Sequence, residues 1–300
     1  MSSQFTRREF LKSSATAALT AGIGARVSGA SPPRTATDQV TLGRSGVRLS
    51  RLGIGTGSNN GQVQRDMGQE AFTRLVHAAY ERGITYIDTA DNYKTHGMVK
   101  EAIKGLPREK LYIQTKMPWD RTPFTDNPLK ELDRFRSELG TDYVDSLLIH
   151  CATKHTWPDD LRMFQDAFSE AQSKGHIRIK GVSCHGLPAL TAATTNDWVE
   201  VHLARVNAQA HHMDGADGTW SEPGNRDAAM KELSAMHARG HGIIGMKLVG
   251  NGDFTEAADR DKAMKFVLTC GCVDAVVVGM NGVAQLDETI ARMNRILAEA

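Results

Sequence analysis

Long apolar runs are missing from this chain. None reaches the 18 or so residues of a membrane-spanning helix, so no stable membrane anchor is expected. Cysteine is scarce, with four in 300 residues. That excludes a disulfide scaffold, and no Cys-x₂-Cys pair offers a zinc knuckle. Net charge is almost absent: 36 Lys+Arg face 35 Asp+Glu, which excludes a globally basic nucleic-acid binder. Aromatic residues are few, at 6%, yet 40% of the chain is hydrophobic. The length suits one large domain or two small ones, with ample apolar material for a core.

Residues 1–30 have a different character. Thr6-Arg7-Arg8-Glu9-Phe10-Leu11-Lys12 leads into a weakly apolar run, then into Ser28-Gly29-Ala30, small residues of the cleavage-site type. Ser31-Pro32-Pro33 breaks structure beyond them. The paired arginines with Phe-Leu-Lys resemble the bacterial twin-arginine export signal. That resemblance implies the export machinery as a partner and a periplasmic or otherwise exported protein. It divides the chain into a signal peptide, 1–30, and one folded domain, 31–300. Losing Arg7, Arg8, Lys12 and Arg26 with Glu9 would turn the formal charge slightly negative.

Beyond the signal, short apolar strand candidates recur at 52–55, 84–88, 111–116, 143–150, 177–183, 199–207, 242–247 and 275–279. Segments of helical period lie between them. Phe72, Leu75, Val76, Ala79 and Tyr80 share one face, with Gly83 as the stop; Leu129, Leu132 and Phe135 repeat before Gly140. Asp159 is expected to cap a helix presenting Leu161, Phe164 and Phe168, and the last helix presents Val283, Leu286, Ile290, Met293 and Leu297. Eight such units predict an α/β fold, the (β/α)₈ TIM barrel, preceded by a β-hairpin over 40–50 that plugs one end. A doubly wound sheet is the rival. Its support is Gly53-x-Gly55-x-Gly57 with Asp88 after the second strand, a spacing that fits the dinucleotide fingerprint poorly.

In such a barrel, active sites form where strands end. Three successive candidates end at Asp88, Lys116 and His150, and Tyr93 follows Asp88 by five residues. Neighbouring strands lie about 4.8 Å apart, so the side chains can converge. A phenol donates a proton poorly at neutral pH; a nearby ammonium is expected to lower its pKa, with Asp88 orienting that ammonium. His150 is placed to hydrogen-bond a carbonyl oxygen. Together they read as general-acid chemistry on a carbonyl. Taken singly, Asp88-Thr89 could cap a helix, Lys116 could be solvated, and His150 could be a core histidine.

At these residues the chain resembles the aldo-keto reductase family. The markers are Leu42-Gly43-Arg44-Ser45-Gly46, Ile87-Asp88-Thr89-Ala90-Asp91-Asn92-Tyr93, Thr115-Lys116, Leu148-Ile149-His150 and Gly181-Val182-Ser183, in that order. The resemblance implies Tyr93 as proton donor, Lys116 and Asp88 as its tuning pair, and His150 as the residue orienting a small carbonyl or alcohol substrate, with sugars among the classes it suggests. It implies a nicotinamide cofactor, NADP or NAD, across the barrel mouth. The implied cofactor residues are Gly55, Thr56, Asp88, Ser183, Cys184, Asn207, Met246, Lys247, Leu248, Gly250, Gln285 and Glu288. Several differ from the family pattern. Cys184 stands for an Asn, Leu203 for a Gln, Met246 for a stacking aromatic, and nothing at 279–281 grips a 2′-phosphate. Trp119 is a candidate wall of the substrate pocket.

Other readings stay open. His211-His212-Met213-Asp214 could ligate a metal, although adjacent residues rarely aim at one ion, and no metal site is expected. Cys151 and Cys184 follow neighbouring strand ends and could approach each other. Cys270-Gly271-Cys272 lacks redox or zinc spacing. A barrel that binds dinucleotide without catalysis, and a lyase or isomerase using Lys116 as a Schiff base, are the alternative functions.

Overall fold

The computed structural model describes residues 34–120, 126–219 and 222–300. The expected export signal therefore lies outside the described residues. The first element is an antiparallel hairpin of β1 (Gln39–Thr41) and β2 (Arg48–Ser50), with Val40 opposite Leu49. Eight barrel strands follow: β3 (Leu52–Gly55), β4 (Tyr86–Asp88), β5 (Tyr112–Pro118), β6 (Val144–Ala152), β7 (Ile177–Cys184), β8 (Val201–Arg205), β9 (Gly242–Met246) and β10 (Ala275–Gly279). Each pairs in parallel with the next, and β10 pairs back onto β3 to close the barrel. Closure excludes the doubly wound rival, which would leave two open edges.

The strands read as unbroken apolar runs because both of their faces are buried. Alternation then sorts side chains between two cores. On β10, Val276 and Val278 join the outer core between sheet and helices, whereas Ala275 and Val277 point into the barrel. On β6, Leu147 and Ile149 face outward and Leu148 inward. Leu42, Val47 and Leu49 of the hairpin complete the inner cluster with Tyr86, Tyr112, Ile179, Val201, Leu203 and Ile244. The hairpin thus seals the N-terminal end, as expected. Gly43 makes the approach possible: it has φ +47°, and a Cβ there would lie 2.5 Å from the Gly242 nitrogen.

The helices follow the expected faces. Gln62–Glu81 buries Phe72, Leu75, Val76 and Ala79, and is interrupted at Gly68, whose φ 75° and ψ 161° are not helical. Pro128–Leu139 starts under an Asn127 cap and stops at Gly140 in the left-handed region, φ 66°. Val283–Ala298 buries Leu286, Met293, Ile296 and Leu297. One expectation fails. Asp159 caps nothing; it lies inside a short helix, Trp157–Asp160, and the longer helix Arg162–Ser173 begins after it. Pro158 in the first turn of that short helix starts the segment early. Among the described residues, no helix is long and apolar enough to cross a membrane.

Candidate active site

Alternation along the strands also sets which polar residues face the barrel mouth. The parity that points Tyr112 inward on β5 brings Gln114 and then Lys116 to the same side, climbing toward the C-terminal end. Lys116 Nζ donates to both carboxylate oxygens of Asp88, at 2.7 and 2.8 Å, and to the Thr89 carbonyl at 2.8 Å. Its three protons are therefore all committed. Gln114 Nε2 donates to Asp88 Oδ1 at 2.7 Å, and Ser146 Oγ donates to Gln114 Oε1 at 2.8 Å. The Asp88–Lys116 pair is thus a fixed part of the barrel wall.

Tyr93 reaches the same point from a single turn of 3₁₀-helix, Asp91–Tyr93, just past β4. Hydroxyl bonds Thr89–Thr95 at 2.9 Å and Thr56–Thr95 at 2.8 Å tie this segment to the neighbouring loops. Arg65 donates to the Tyr93 carbonyl. Lys116 Nζ lies 4.8 Å from the centre of the Tyr93 ring, and the His150 ring meets Tyr93 edge-on at 5.7 Å and 85°. A side chain at position 57 would occupy this space, since a Cβ there would lie 2.5 Å from Tyr93 Cζ. The register of β6 against β7 shifts between Ile149 and Ala152, with Cys151 at φ 59°. Such bulges re-aim side chains at strand ends, and this one adjoins His150. All four predicted catalytic residues therefore converge.

The electrostatics differ from the expectation in one respect. The Tyr93 pKa is raised well above the ordinary phenol value, not lowered. Desolvation of the phenolate is the main cause, with the Asp88 charge adding to it. The ammonium does not offset this, because its charge is paired with the Asp88 carboxylate. Burial likewise lowers the Lys116 pKa, and Asp88 opposes that shift. The result is a phenol that stays protonated in the resting site. With its three protons bonded, Lys116 presents no free lone pair for Schiff-base chemistry in this arrangement.

A cleft of about 520 Å³ opens from this cluster. Asp88, Tyr93, Gly55 and Gly57 line one part of it, and Met246, Lys247, Leu248 and Phe254 another. Gln285, Glu288, Arg260 and Arg292 also line it. Glu288 lies between the two guanidiniums, 2.8 Å from Arg292 and 3.3 Å from Arg260. Gln285 Oε1 accepts from the Asn281 backbone at 2.9 Å. The Lys247 ammonium is held to Asn251 Oδ1 at 2.7 Å. Its pKa is lowered to about 8 by burial, with Arg205 and Lys116 adding repulsion.

Of the expected cofactor residues, Gly55, Asp88, Met246, Lys247, Leu248, Gln285 and Glu288 line the cleft. The others lie elsewhere. Thr56 is buried on Thr95, and Ser183 donates to the Leu203 carbonyl at 3.3 Å. Leu203 itself belongs to the inner apolar cluster. Cys184 turns the other way, into the outer core, because it follows inward-facing Ser183 on the same strand. Asn207 clasps the loop after β8, bonding the His211 backbone and the Lys247 carbonyl. Gly250 packs against Phe254 and His211. Trp119 is half-buried and donates from Nε1 to the Cys151 carbonyl at 3.3 Å. Cys151 and Cys184 are free thiols, both with pKa values pushed up by burial.

Sequence reasoning missed Arg205, the last residue of β8. It is fully buried and paired with Asp214 at 2.7 Å, and Asp214 also accepts from the Gly186 nitrogen at 2.6 Å. It also missed Arg260 and Arg292, which supply cationic side chains that residues 279–281 do not. An inward position on an apolar strand would have flagged Arg205. The two helical arginines carry no local signal.

The structure is a closed parallel barrel with a carboxylate, an ammonium, a phenol and an imidazole gathered at one mouth beside a cleft. This chain belongs to the Aldo/keto reductase family, whose pattern matches residues 51–269. It is 31% identical over 180 residues to an aldo-keto reductase of Mycolicibacterium paratuberculosis, covering 57% of this chain and 55% of that protein. It is 34% identical over 125 residues to methylglyoxal reductase DkgB of Salmonella typhi, covering 39% of this chain and 44% of that protein. The chain spans about half the length of the curated relatives it matches. Among solved structures, the holo form of aldo-keto reductase AKR11C1 from Bacillus halodurans superposes with a TM-score of 0.67 at 17% identity. That match covers 88% of this chain and 96% of the other, and it shows a shared fold.

Proposed function

We propose that this chain is a nicotinamide-dependent oxidoreductase that reduces an aldehyde or ketone, or oxidises the corresponding alcohol. The observation that carries the reading is the convergence of Asp88, Lys116, Tyr93 and His150, of which Asp88 and Tyr93 line the cleft. The cleft's donor set fits a dinucleotide. Backbone is accessible at Gly55, Gly57 and Gly279, apolar cover comes from Met246 and Leu248, and Lys247, Arg260 and Arg292 offer charge for phosphates. Arg260 and Arg292, on exchanging Glu288 and Asp261 for it, would favour the 2′-phosphate of NADP over NAD.

A bound dinucleotide supplies the hydride. The remaining work falls to this chain's own side chains. His150 orients the carbonyl oxygen toward Tyr93. Tyr93 gives its proton to that oxygen, and Lys116 then faces the phenolate that remains. Asp88 keeps Lys116 charged and in place. Because the resting phenol is held protonated, the donor is loaded before substrate arrives.

Purified protein should bind NADPH in a thermal-shift titration, more tightly than NADH. It should then consume the reduced cofactor's near-ultraviolet absorbance when aldehydes or ketones are added. No shift with either dinucleotide would overturn the reading. Binding without turnover across a broad carbonyl panel would return the non-catalytic alternative.

Lys247 adds a pH dependence with a definite sign. Its pKa of about 8 leaves it charged below that pH and neutral above it. Its attraction for phosphate is therefore present below pH 8 and fades above. Dinucleotide affinity should weaken with rising pH by up to about tenfold per unit in that range. Lys247→Met should flatten the profile in isothermal titrations between pH 7 and pH 10 (roughly the window this pKa defines). An unchanged slope in the variant would remove Lys247 from phosphate binding.

A further inference from the structure

Two groups of metal-ligating side chains occur among the described residues. In one, Asp91, His96 and Glu138, a cation is already present: Arg134 reaches Asp91 at 3.0 Å and Glu138 at 2.7 Å. The other combines His211 and His212, from the loop after β8, with Asp253, from the turn after β9. There the ion partners of Asp253 are the two imidazoles, at 2.7 and 3.1 Å. We propose that His211, His212 and Asp253 form a binding site for a first-row divalent cation such as Zn²⁺.

Adjacent histidines seldom aim at one point, and the backbone explains how these do. Ala210 and His212 both have positive φ, 59° and 53°, and Asn251 on the facing turn has φ 62°. Non-glycine residues adopt that region rarely, and it clusters at functional sites. The result is that the ring centres of His211 and His212 lie 3.9 Å apart. The loop is also built to hold this shape. Buried Asn207 bonds the His211 backbone through both its amide nitrogen and its oxygen, at 2.8 and 3.0 Å. Phe254 and Gly250 pack against the His211 ring.

The donor set and spacing suit the ion. Two imidazole nitrogens and one carboxylate are the three-ligand pattern of open zinc sites, with room left for water. The three ligand atoms lie within 4.8 Å of one another. Tetrahedral zinc with bonds of about 2.0–2.1 Å holds its ligands roughly 3.3 Å apart, so binding needs only a small opening of the present contacts. Asp214, the carboxylate nearest these histidines in sequence, is not among the ligands, because it is committed to Arg205. An ion here would join the loop after β8 to the Asn251–Phe254 turn, part of which lines the cleft. It would therefore brace one wall of that cleft.

The test uses full-length protein stripped with a chelator and dialysed. Zn²⁺ titrated calorimetrically should bind one equivalent. Co²⁺ should give the visible d–d bands of a nitrogen and oxygen site, without the near-ultraviolet bands of thiolate ligation. His211→Ala and Asp253→Asn should each weaken Zn²⁺ binding by about tenfold or more, since even outer-shell partners carry that much. Cys270→Ser should leave binding unchanged, which separates the site from the Cys270–Cys272 thiols, 3.8 Å apart. Absent binding, or binding that survives both ligand variants while they keep the parent melting temperature, would overturn the proposal. The assay needs no nicotinamide, so it stands apart from the proposed reaction.

Discussion

Tyr93→Phe is expected to lose carbonyl reduction by about 10²–10⁴-fold, the usual contribution of a positioned general acid, while dinucleotide affinity holds. The variant removes one oxygen and little else. The phenyl ring would still fill the space beside Gly57, meet His150 edge-on and lie under the Lys116 ammonium. A large loss in rate with unchanged thermal shift by NADPH would therefore isolate the proton. Cofactor consumption at saturating carbonyl is the measurement. A variant that retained full turnover would remove Tyr93 from the reaction and leave the proposed chemistry without its donor.

The second large effect is on stability. Lys116 is completely buried, and its ammonium lies between the two oxygens of Asp88. Lys116→Met keeps most of the side-chain volume but strands a carboxylate inside the barrel. Breaking a buried pair from one side costs about 3–5 kcal/mol, so the urea midpoint should fall markedly. Asp88→Asn combined with Lys116→Met removes both charges and should recover part of that loss. The remaining bond from Gln114 to position 88 helps to hold the neutral pair. Equal destabilisation in the single and double variants would mean that lost packing, not the stranded charge, sets the cost. Neither variant should reduce carbonyls at the parent rate.

The barrel was legible in sequence because a strand buried on both faces leaves an apolar run that needs no partner to be recognised. Leu52–Gly55 and Ala275–Gly279 coincide with their expected bounds. Three of the four catalytic candidates were legible for the same reason: Asp88, Lys116 and His150 end or nearly end their strands. What sequence does not carry is the direction of a side chain just beyond a strand, or contacts across long separations. Tyr93 stands beyond β4 on a 3₁₀ turn, Asp91–Tyr93, where strand alternation no longer sets direction. Asp214 looked like a partner for His211 and His212, but it is consumed by Arg205, and Asp253 takes that place. The sign of the Tyr93 shift was misjudged because the lysine's proximity was foreseen, but not the burial that disfavours a phenolate there.

The hairpin at the base of the barrel has a kinetic meaning as well as a structural one. With Leu42, Val47 and Leu49 packed into the inner cluster, the base of the barrel is closed, and the cleft beside Asp88 and Tyr93 lies at the other end. In the proposed reaction, substrate, product and the proton that reloads Tyr93 would all pass the side on which a dinucleotide would lie. Traffic through a dead-end vestibule is necessarily sequential. Of two ligands sharing such a vestibule, the deeper must enter first and leave last, so the order of release would report which of them lies nearer the floor.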